Sequence, residues 1–157
     1  MFEAQKEWIC PENFPDLKGY KYIAIDLETK DPELKSMGSG AVRGQGNIVG
    51  IAVAVDGWSA YYPIAHEGGG NIEKQKVLDW FKKVCATDSV KIFHNAMYDV
   101  CWLRAAGVKI NGEIIDLASG SVSIDLPVPP VAVVAKYDSS KSINTFPFKF
   151  GRTNSPK

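Results

Sequence analysis

The sequence predicts an α/β fold in which a mixed β-sheet is flanked by helices. Three observations support this prediction: short apolar runs typical of buried strands, an Asp-Gly pair between two β-prone runs, and two later segments whose apolar residues recur at helical spacing. In chain order they predict three antiparallel strands followed by β-α units, β-β-β-α-β-α-β. The length of 157 residues suits a single domain with one core.

Three strands are predicted before the first long helix. Residues 22–25 form a short apolar run that ends at an acid. Residues 48–55 and 58–64 are β-prone runs joined by an Asp-Gly hairpin signal, which makes them antiparallel neighbours. Between the first two strands, residues 30–46 hold glycines and prolines among charges and predict a mobile loop.

The rest of the domain is predicted to alternate helices and strands. Asn71 is the expected N-cap of a helix over residues 72–85, which carries its lysines opposite its apolar residues and crosses over the sheet. A fourth strand follows at residues 90–93. A second helix is predicted from Asn95 to a glycine stop, and residues 113–116 predict a last short strand.

The domain is predicted to span residues 19–119, after a lead-in over residues 1–18. Over residues 120–157 neither helical nor strand periodicity is sustained, so we expect a poorly ordered tail there.

The composition excludes several classes of protein. The 18 Lys and Arg residues balance the 18 Asp and Glu residues, so no basic field is available to hold a long duplex. Three cysteines without CxxC spacing predict reduced thiols in a cytosol-like compartment and no zinc site. The first residues fit neither a signal peptide nor a membrane span, so we expect no membrane partner.

Two glycine-rich segments lack the context of a nucleotide-binding motif. Gly68-Gly69-Gly70 precedes a helix but has no Lys-Ser/Thr of a P-loop, and a turn is the simpler interpretation. The segment from Gly38 to Gly40 is predicted to lead towards a strand rather than a helix, which excludes a dinucleotide fingerprint. We therefore expect no nucleotide cofactor.

Asp26 and Glu28 are the first candidates for metal ligands. Alternate residues of a strand project from one face, so these two carboxylates converge while Leu27 points into the opposite packing layer. Burying paired negative charges is costly unless a cation neutralises them, and Mg²⁺ or Mn²⁺ prefers such oxygen ligands. The alternative is a strand end with two solvated acids.

Asp99 is a second unusual acid because its helix is apolar almost all round. Such a helix is normally buried on most sides, so the charge needs a hydrogen-bonding partner or a metal. Asn95 shares a helix face with Asp99 and is expected to act as helix N-cap, as a substrate contact, or as both. His94 and His66 are further candidates for a ligand or base, with a structural role as the alternative.

Two segments resemble the proofreading 3′-to-5′ exonuclease domain of family A (polymerase I-type) DNA polymerases, particularly those of phages. They are Ile23–Thr29, which contains Asp-Leu-Glu-Thr, and Phe93–Leu103, which contains Asn-x-x-x-Asp. The similarity extends over about residues 15–118. It implies the ribonuclease H-like fold of the DEDD nuclease superfamily.

The resemblance implies roles for individual residues. Asp26 is the catalytic acid shared by two divalent ions, Mg²⁺ or Mn²⁺, Glu28 is a ligand of the first ion, and Asp99 is the acid of the second. Asp116 falls where the family often has Asp-Thr, and a structural role is implied for it rather than a metal-binding one. The residues assigned to contact with the terminal nucleotide are Thr29, Asn95 and Leu27.

The implied activity is hydrolysis of the terminal phosphodiester at the 3′ end of single-stranded DNA, in the cytoplasm of a bacterial cell or phage-infected host. A DNA polymerase chain is the expected partner for proofreading, since no polymerase sequence follows the domain.

The family's third motif, Tyr-x-x-x-Asp, is not found in this sequence. Tyr137 is followed directly by Asp138, and Lys141 stands four residues after the tyrosine. The domain is therefore expected to be incomplete, without one ligand and the tyrosine that orients water. Two alternatives stay open: an inactive nuclease-like module that binds nucleic-acid ends or a polymerase, and an RNA exonuclease of the ribonuclease D kind.

Overall fold

The computed structural model describes residues 9–119, so the predictions for residues 120–157 lie outside the described residues. Its five strands are β1 (Tyr22–Lys30), β2 (Asn47–Val55), β3 (Trp58–Pro63), β4 (Val90–Phe93) and β5 (Ile114–Asp116). They form one open sheet in the order β3-β2-β1-β4-β5. The predicted α/β class with a mixed sheet is confirmed, consistent with a ribonuclease H-like fold.

Strand pairing follows the predicted pattern. The strand β2 pairs antiparallel with both β1 and β3, so the Asp-Gly hairpin is confirmed. The strand β4 runs parallel to β1, and β5 runs parallel to β4. The carboxyl ends of β1, β4 and β5 therefore lie at the same end of the sheet.

Helices occupy three of the connections. They are α1 (Leu34–Met37) and α2 (Gly40–Arg43) between β1 and β2, α3 (Lys74–Cys85) between β3 and β4, and α4 (Ala96–Ala105) between β4 and β5. A 3-10 turn at Leu117–Ser119 follows β5. Within residues 9–119, no helix has the length and apolar character needed to cross a membrane.

The core fixes the orientation of β1. Ile23, Ile25 and Leu27 alternate along this strand and are 0%, 3% and 7% exposed. They pack in one cluster with the apolar residues of α3 and with Trp102 and Leu103 of α4. Full burial of one such side chain contributes about 1.5–3 kcal/mol, so the intervening residues of β1 must face the other side of the sheet.

The end of the lead-in also contributes to the core. Leu17 is buried, and the Phe14 ring stacks on Tyr62 with 5.3 Å between ring centroids. The indole N–H of Trp80 donates a hydrogen bond of 2.8 Å to the carbonyl of Pro15. This part of the chain is therefore packed against α3 and β3.

The sequence suggested that the first strand ends at Asp26, but the strand is longer. It continues to Lys30 because Thr29 and Lys30 pair with Ile48 and Asn47 of β2. The pairing register shifts after residue 28. The two acids of β1 therefore lie inside a paired strand rather than at a free end.

The segment predicted as a mobile loop contains α1 and α2. The carboxylate of Asp31 holds the start of α2, since its Oδ2 accepts the Gly40 N–H at 2.8 Å and its Oδ1 lies 3.8 Å from Arg43 Nη2. A Cβ at Gly40 would lie 2.2 Å from the carbonyl oxygen of Gln45, so only glycine fits there. Because α2 begins at Gly40, the expectation that this glycine segment leads into a strand was wrong.

Asn71 does not cap α3, contrary to the prediction. The helix begins at Lys74, and its N-cap residue Glu73 makes no side-chain capping bond. The carboxamide of Asn71 instead accepts the His66 N–H at 2.7 Å and donates to the His66 carbonyl at 2.8 Å. The amide thus closes the loop after β3.

Candidate functional site

Two acids share the face of the central strand that lies opposite the hydrophobic core. Asp26 and Glu28 are both half-buried, and they alternate with Ile25 and Leu27 of the core as predicted. Burial raises the pKa of Asp26 to about 6, although the charge of His94 and a backbone hydrogen bond partly offset this rise. Burial raises the pKa of Glu28 to about 7, and the neighbouring Asp26 charge adds to the effect.

The third acid, Asp99, lies on the buried face of α4 and is 3% exposed. The apolar composition of this helix led us to expect burial on most sides. The helix is instead partly open to solvent, since Met97 is 77% exposed. Burial is the largest cause that raises the pKa of Asp99 to about 8, and the charges of Asp26, Glu28 and Asp116 raise it further. Within residues 9–119, no hydrogen-bond donor is among the groups that shift this pKa.

These acids form an electrostatically strained group at the carboxyl end of β1. The charge of Asp26 raises the pKa of Glu28, and both charges raise the pKa of Asp99. Ionising all three carboxylates is therefore costly in the protein alone. A cation bound between them would remove the repulsion.

The donor chemistry fits a hard divalent cation, since carboxylate oxygens are the preferred ligands of Mg²⁺ and Mn²⁺. In the part of the chain that the structure describes, no group of three or more His, Cys, Asp or Glu side chains is already gathered as a metal-binding cluster. The three acids are thus close enough to repel one another but do not surround one point. A cation between Asp26, Glu28 and Asp99 requires their side chains to turn towards it.

A tyrosine links α4 to the end of β1. The hydroxyls of Tyr98 and Thr29 form a hydrogen bond of 2.7 Å, and the Tyr98 hydroxyl donates a second bond of 3.4 Å to Asp31 Oδ2. Because Asp31 also holds the start of α2, one phenol connects the helix of Asp99 to the segment after β1. Thr29, the predicted nucleotide contact, is therefore fixed in orientation.

The turn from β4 into α4 carries two predicted site residues. Asn95 stands at the N-cap position, yet its side chain makes no capping hydrogen bond and is exposed. The exposed Asn95 and the buried Asp99 therefore have different surroundings despite their helical spacing. His94 is also exposed, and its charge lowers the pKa of both Asp26 and Asp116.

Two other predicted residues have contacts of a different kind. His66 is 7% exposed and its Nε2 is hydrogen-bonded to the hydroxyl of Tyr61, while burial lowers its pKa. These contacts match the structural alternative. The side chain of Leu27 belongs to the hydrophobic core and is 7% exposed, and its assignment to substrate contact stays a prediction.

Sequence reasoning missed Tyr98 and the main contacts of Asp116. The available signal for Tyr98 was a hydroxyl in an otherwise apolar helix, next to Asp99. For Asp116 the signal was an acid at the carboxyl end of a short strand. Loops that follow neighbouring parallel strands lie close together at that end of a sheet. Neither signal identifies the partner, because both partners lie far away in sequence.

Comparison with known proteins gives one informative relative. A DNA-directed DNA polymerase of Pseudomonas phage M6 is 39% identical over 113 residues, an alignment that covers 68% of this chain. The chain is similar to part of a phage DNA polymerase. It spans 17% of the length of that polymerase. No family model matches the sequence.

The described domain is thus polymerase-related, which confirms the predicted link to phage DNA polymerases at this level. The activity of the whole polymerase cannot be assigned to this chain, because most of the polymerase has no counterpart in the alignment. The acids of β1 and α4 provide the more specific basis for a function.

Proposed function

We propose that this chain is a divalent-metal-dependent 3′-to-5′ exonuclease that acts on single-stranded DNA ends, as in proofreading. One observation carries the proposal: Asp26, Glu28 and Asp99 are half-buried or buried carboxylates that repel one another. Perturbed acids in such a group are typical of functional sites. The similarity to a phage DNA polymerase supports a role at DNA ends.

The three carboxylates would hold two Mg²⁺ or Mn²⁺ ions. Ions of this kind neutralise phosphate charge and stabilise the attacking and departing oxygens of phosphoryl transfer. The chain's own contribution is to keep Asp26, Glu28 and Asp99 partly removed from water, where their charge acts more strongly. Burial and mutual repulsion raise the pKa values of these acids, so a bound cation would displace the protons that they hold.

The reaction is hydrolysis of the last phosphodiester. The oxygen of a water molecule forms a bond to the phosphorus, and the bond from phosphorus to the 3′ oxygen of the preceding nucleotide breaks. The water loses a proton and the departing 3′ oxygen gains one. The products are a nucleoside 5′-monophosphate and a strand that is one nucleotide shorter.

Thr29 and Asn95 are proposed to orient the terminal nucleotide. Thr29 Oγ1 is held by the Tyr98 hydroxyl, and the Asn95 carboxamide is exposed beside the acids' end of the sheet. Correct orientation of a scissile bond contributes strongly to catalysis. In proofreading, a DNA polymerase chain would deliver the 3′ end to this site.

The direct test is degradation of a single-stranded DNA oligonucleotide labelled at its 5′ end. With Mg²⁺ or Mn²⁺ the purified protein is expected to produce a ladder that shortens from the 3′ end. Asp26→Asn is expected to abolish the ladder. Asp56→Asn is the matched control, because Asp56 is exposed in the β2–β3 hairpin and Asn-Gly supports the same turn.

Other outcomes would overturn the proposal. Degradation of RNA but not DNA of the same sequence would identify an exonuclease of the ribonuclease D kind. Binding of the oligonucleotide without any cleavage in either metal would identify an inactive binding module. A ladder that persists in Asp26→Asn would assign the cleavage to a different site or to a contaminant.

A further inference from the structure

The turn at the start of α4 has an unusual backbone. Asn95 has φ 69° and ψ 58°, and it is the one non-glycine residue with positive φ within residues 9–119. This left-handed conformation is unfavourable for residues with a Cβ, and asparagine tolerates it better than most. A strained residue of this kind persists only where its surroundings hold it.

The carboxylate of Asp116 holds this turn from the neighbouring strand. Its Oδ1 accepts the backbone N–H of Asn95 at 2.9 Å and that of Ala118 at 3.0 Å. The N–H groups of Ala118, Ala96 and Asn95, together with the charge of His94, lower the pKa of Asp116. The acid at the end of β5 therefore supplies the capping bonds of α4 in place of Asn95.

This arrangement has two consequences for the site. The carboxamide of Asn95 makes no capping bond, so it remains available at the surface. The first turn of α4, which contains Asp99, is anchored to the sheet through the same carboxylate. A change in this turn would move both side chains relative to the acids of β1.

We propose that Asp116 is a positioning residue, which fixes the left-handed turn at Asn95 and through it the placement of Asn95 and Asp99. The proposal rests on the exonuclease function, to which it adds a group that does not touch the reacting atoms. Two backbone donors occupy Oδ1 of Asp116, so this oxygen is committed to the turn rather than to a metal ion. Because such a role acts through geometry, it predicts a specific pattern among variants.

The first test compares Asp116→Asn with Asp116→Ala. The amide oxygen of asparagine can still accept both N–H bonds, so Asp116→Asn is expected to keep nuclease activity close to that of the wild type. Asp116→Ala loses the bonds and is expected to lower kcat/KM about tenfold or more, since small misplacements at an active site have large effects. A large loss in Asp116→Asn would overturn the proposal and identify Asp116 as a metal ligand.

The second test uses glycine at residue 95. Glycine adopts the left-handed conformation without strain, so the turn no longer depends on Asp116. Activity is measured for Asn95→Gly alone and for Asn95→Gly combined with Asp116→Ala. The alanine substitution is expected to have a much smaller effect in the glycine background than in the native one. Equal effects in both backgrounds would overturn the proposal.

A third measurement separates this proposal from the nuclease function itself. The backbone amide and α-carbon chemical shifts of Asn95 report its conformation without any activity. They are expected to match the wild type in Asp116→Asn and to change in Asp116→Ala, with thermal unfolding as a check on folding. Unchanged shifts in Asp116→Ala would overturn the positioning role. An inactive wild type with the expected shifts would overturn only the exonuclease function.

Discussion

Lys91 of β4 and Asp99 of α4 are both buried ionisable side chains, at 0% and 3% exposure, but their surroundings differ. The ammonium of Lys91 donates to the carbonyls of Ser89 at 2.9 Å and Asn111 at 3.0 Å, and to the carbonyl and hydroxyl of Thr87. Asp99 instead faces other negative charges. Hydrogen bonds within the fold stabilise the charged form of Lys91, whereas the neighbouring negative charges disfavour the charged form of Asp99.

The difference separates a buried charge that the fold stabilises from one for which we propose a function. Lys91 joins β4 to two loops, so its desolvation is compensated by hydrogen bonds even though burial lowers its pKa. Asp99 has no such compensation among the groups that shift its pKa within residues 9–119. A buried charge that its own protein repels is best explained by a ligand of opposite charge.

Replacing Asp99 should separate activity from stability. Asp99→Asn removes a cation ligand and is expected to reduce nuclease turnover on the order of 1000-fold, or about 4 kcal/mol of transition-state stabilisation. Without divalent ions, and at a pH above the Asp99 pKa of about 8, the same variant should unfold at a higher temperature, because a buried unpaired charge is gone. Turnover near that of the wild type, in the oligonucleotide assay, would contradict the role given to Asp99.

Replacing Lys91 should have the opposite effect. Lys91→Met leaves four acceptor atoms without their donor and is expected to lower the free energy of unfolding by about 3 kcal/mol. Activity per folded molecule should be unchanged. Urea unfolding measures the loss, with the exposed Lys109→Met as the control. A stable but inactive Lys91→Met protein would break the distinction between the two charges.

The pH dependence of stability should reveal the repelling acids. Their pKa values in the folded protein, about 6, 7 and 8, lie above the ordinary values of 3.8 for aspartate and 4.5 for glutamate. The folded state therefore binds protons at these acids more tightly than the unfolded state, so their contribution to stability is greatest below the ordinary pKa values. It should fall on the order of 2 kcal/mol as the pH rises to about 8 without divalent ions.

Thermal unfolding in EDTA and in Mg²⁺ measures this dependence. Mg²⁺ should raise the unfolding temperature most at the upper end of the pH range, where the acids are ionised. The Asp99→Asn variant should show a weaker fall with pH. Raised acid pKa values predict that stability falls as the pH rises. A stability that rises between about pH 5 and about pH 8 in EDTA would therefore contradict them.

Removing one hydroxyl should have the smallest effect. Tyr98→Phe keeps the ring but loses the bonds to Thr29 and Asp31, at a cost of about 1 kcal/mol. Because Thr29 is proposed to contact the nucleotide, KM for DNA should rise a few-fold while kcat changes less. Steady-state kinetics on short oligonucleotides separates the two parameters. An unchanged KM would remove Tyr98 from the substrate side of the site.

The sequence predicts the strands well because their signals are local. Alternation along β1 and the Asp-Gly pair after β2 correctly indicate which side chains face the core and which strands are neighbours. The two one-turn helices are missed because four residues give no periodicity, and a distant carboxylate, Asp31, holds the second. Asn71 is misassigned because the same amide can cap a helix or close a loop.

The acids of the candidate site can be identified from the sequence, but the residues that hold the surrounding backbone in place cannot. Asp26, Glu28 and Asp99 stand out because each is an acid in an apolar context. Lys91 gives no such signal, since a lysine in a short strand normally points to solvent, and its acceptors come from two separate loops. The same holds for Asp116, whose partner Asn95 is 21 residues away in the chain.

Titration calorimetry with Mn²⁺ tests most directly whether the acids of β1 and α4 form a cation site. The wild type and Asp56→Asn are expected to bind Mn²⁺ and to release protons on binding near pH 7, because a cation displaces protons from carboxylates with raised pKa values. Asp26→Asn should bind much more weakly. Absence of binding in the wild type, or equal binding in Asp26→Asn, would contradict the proposed site.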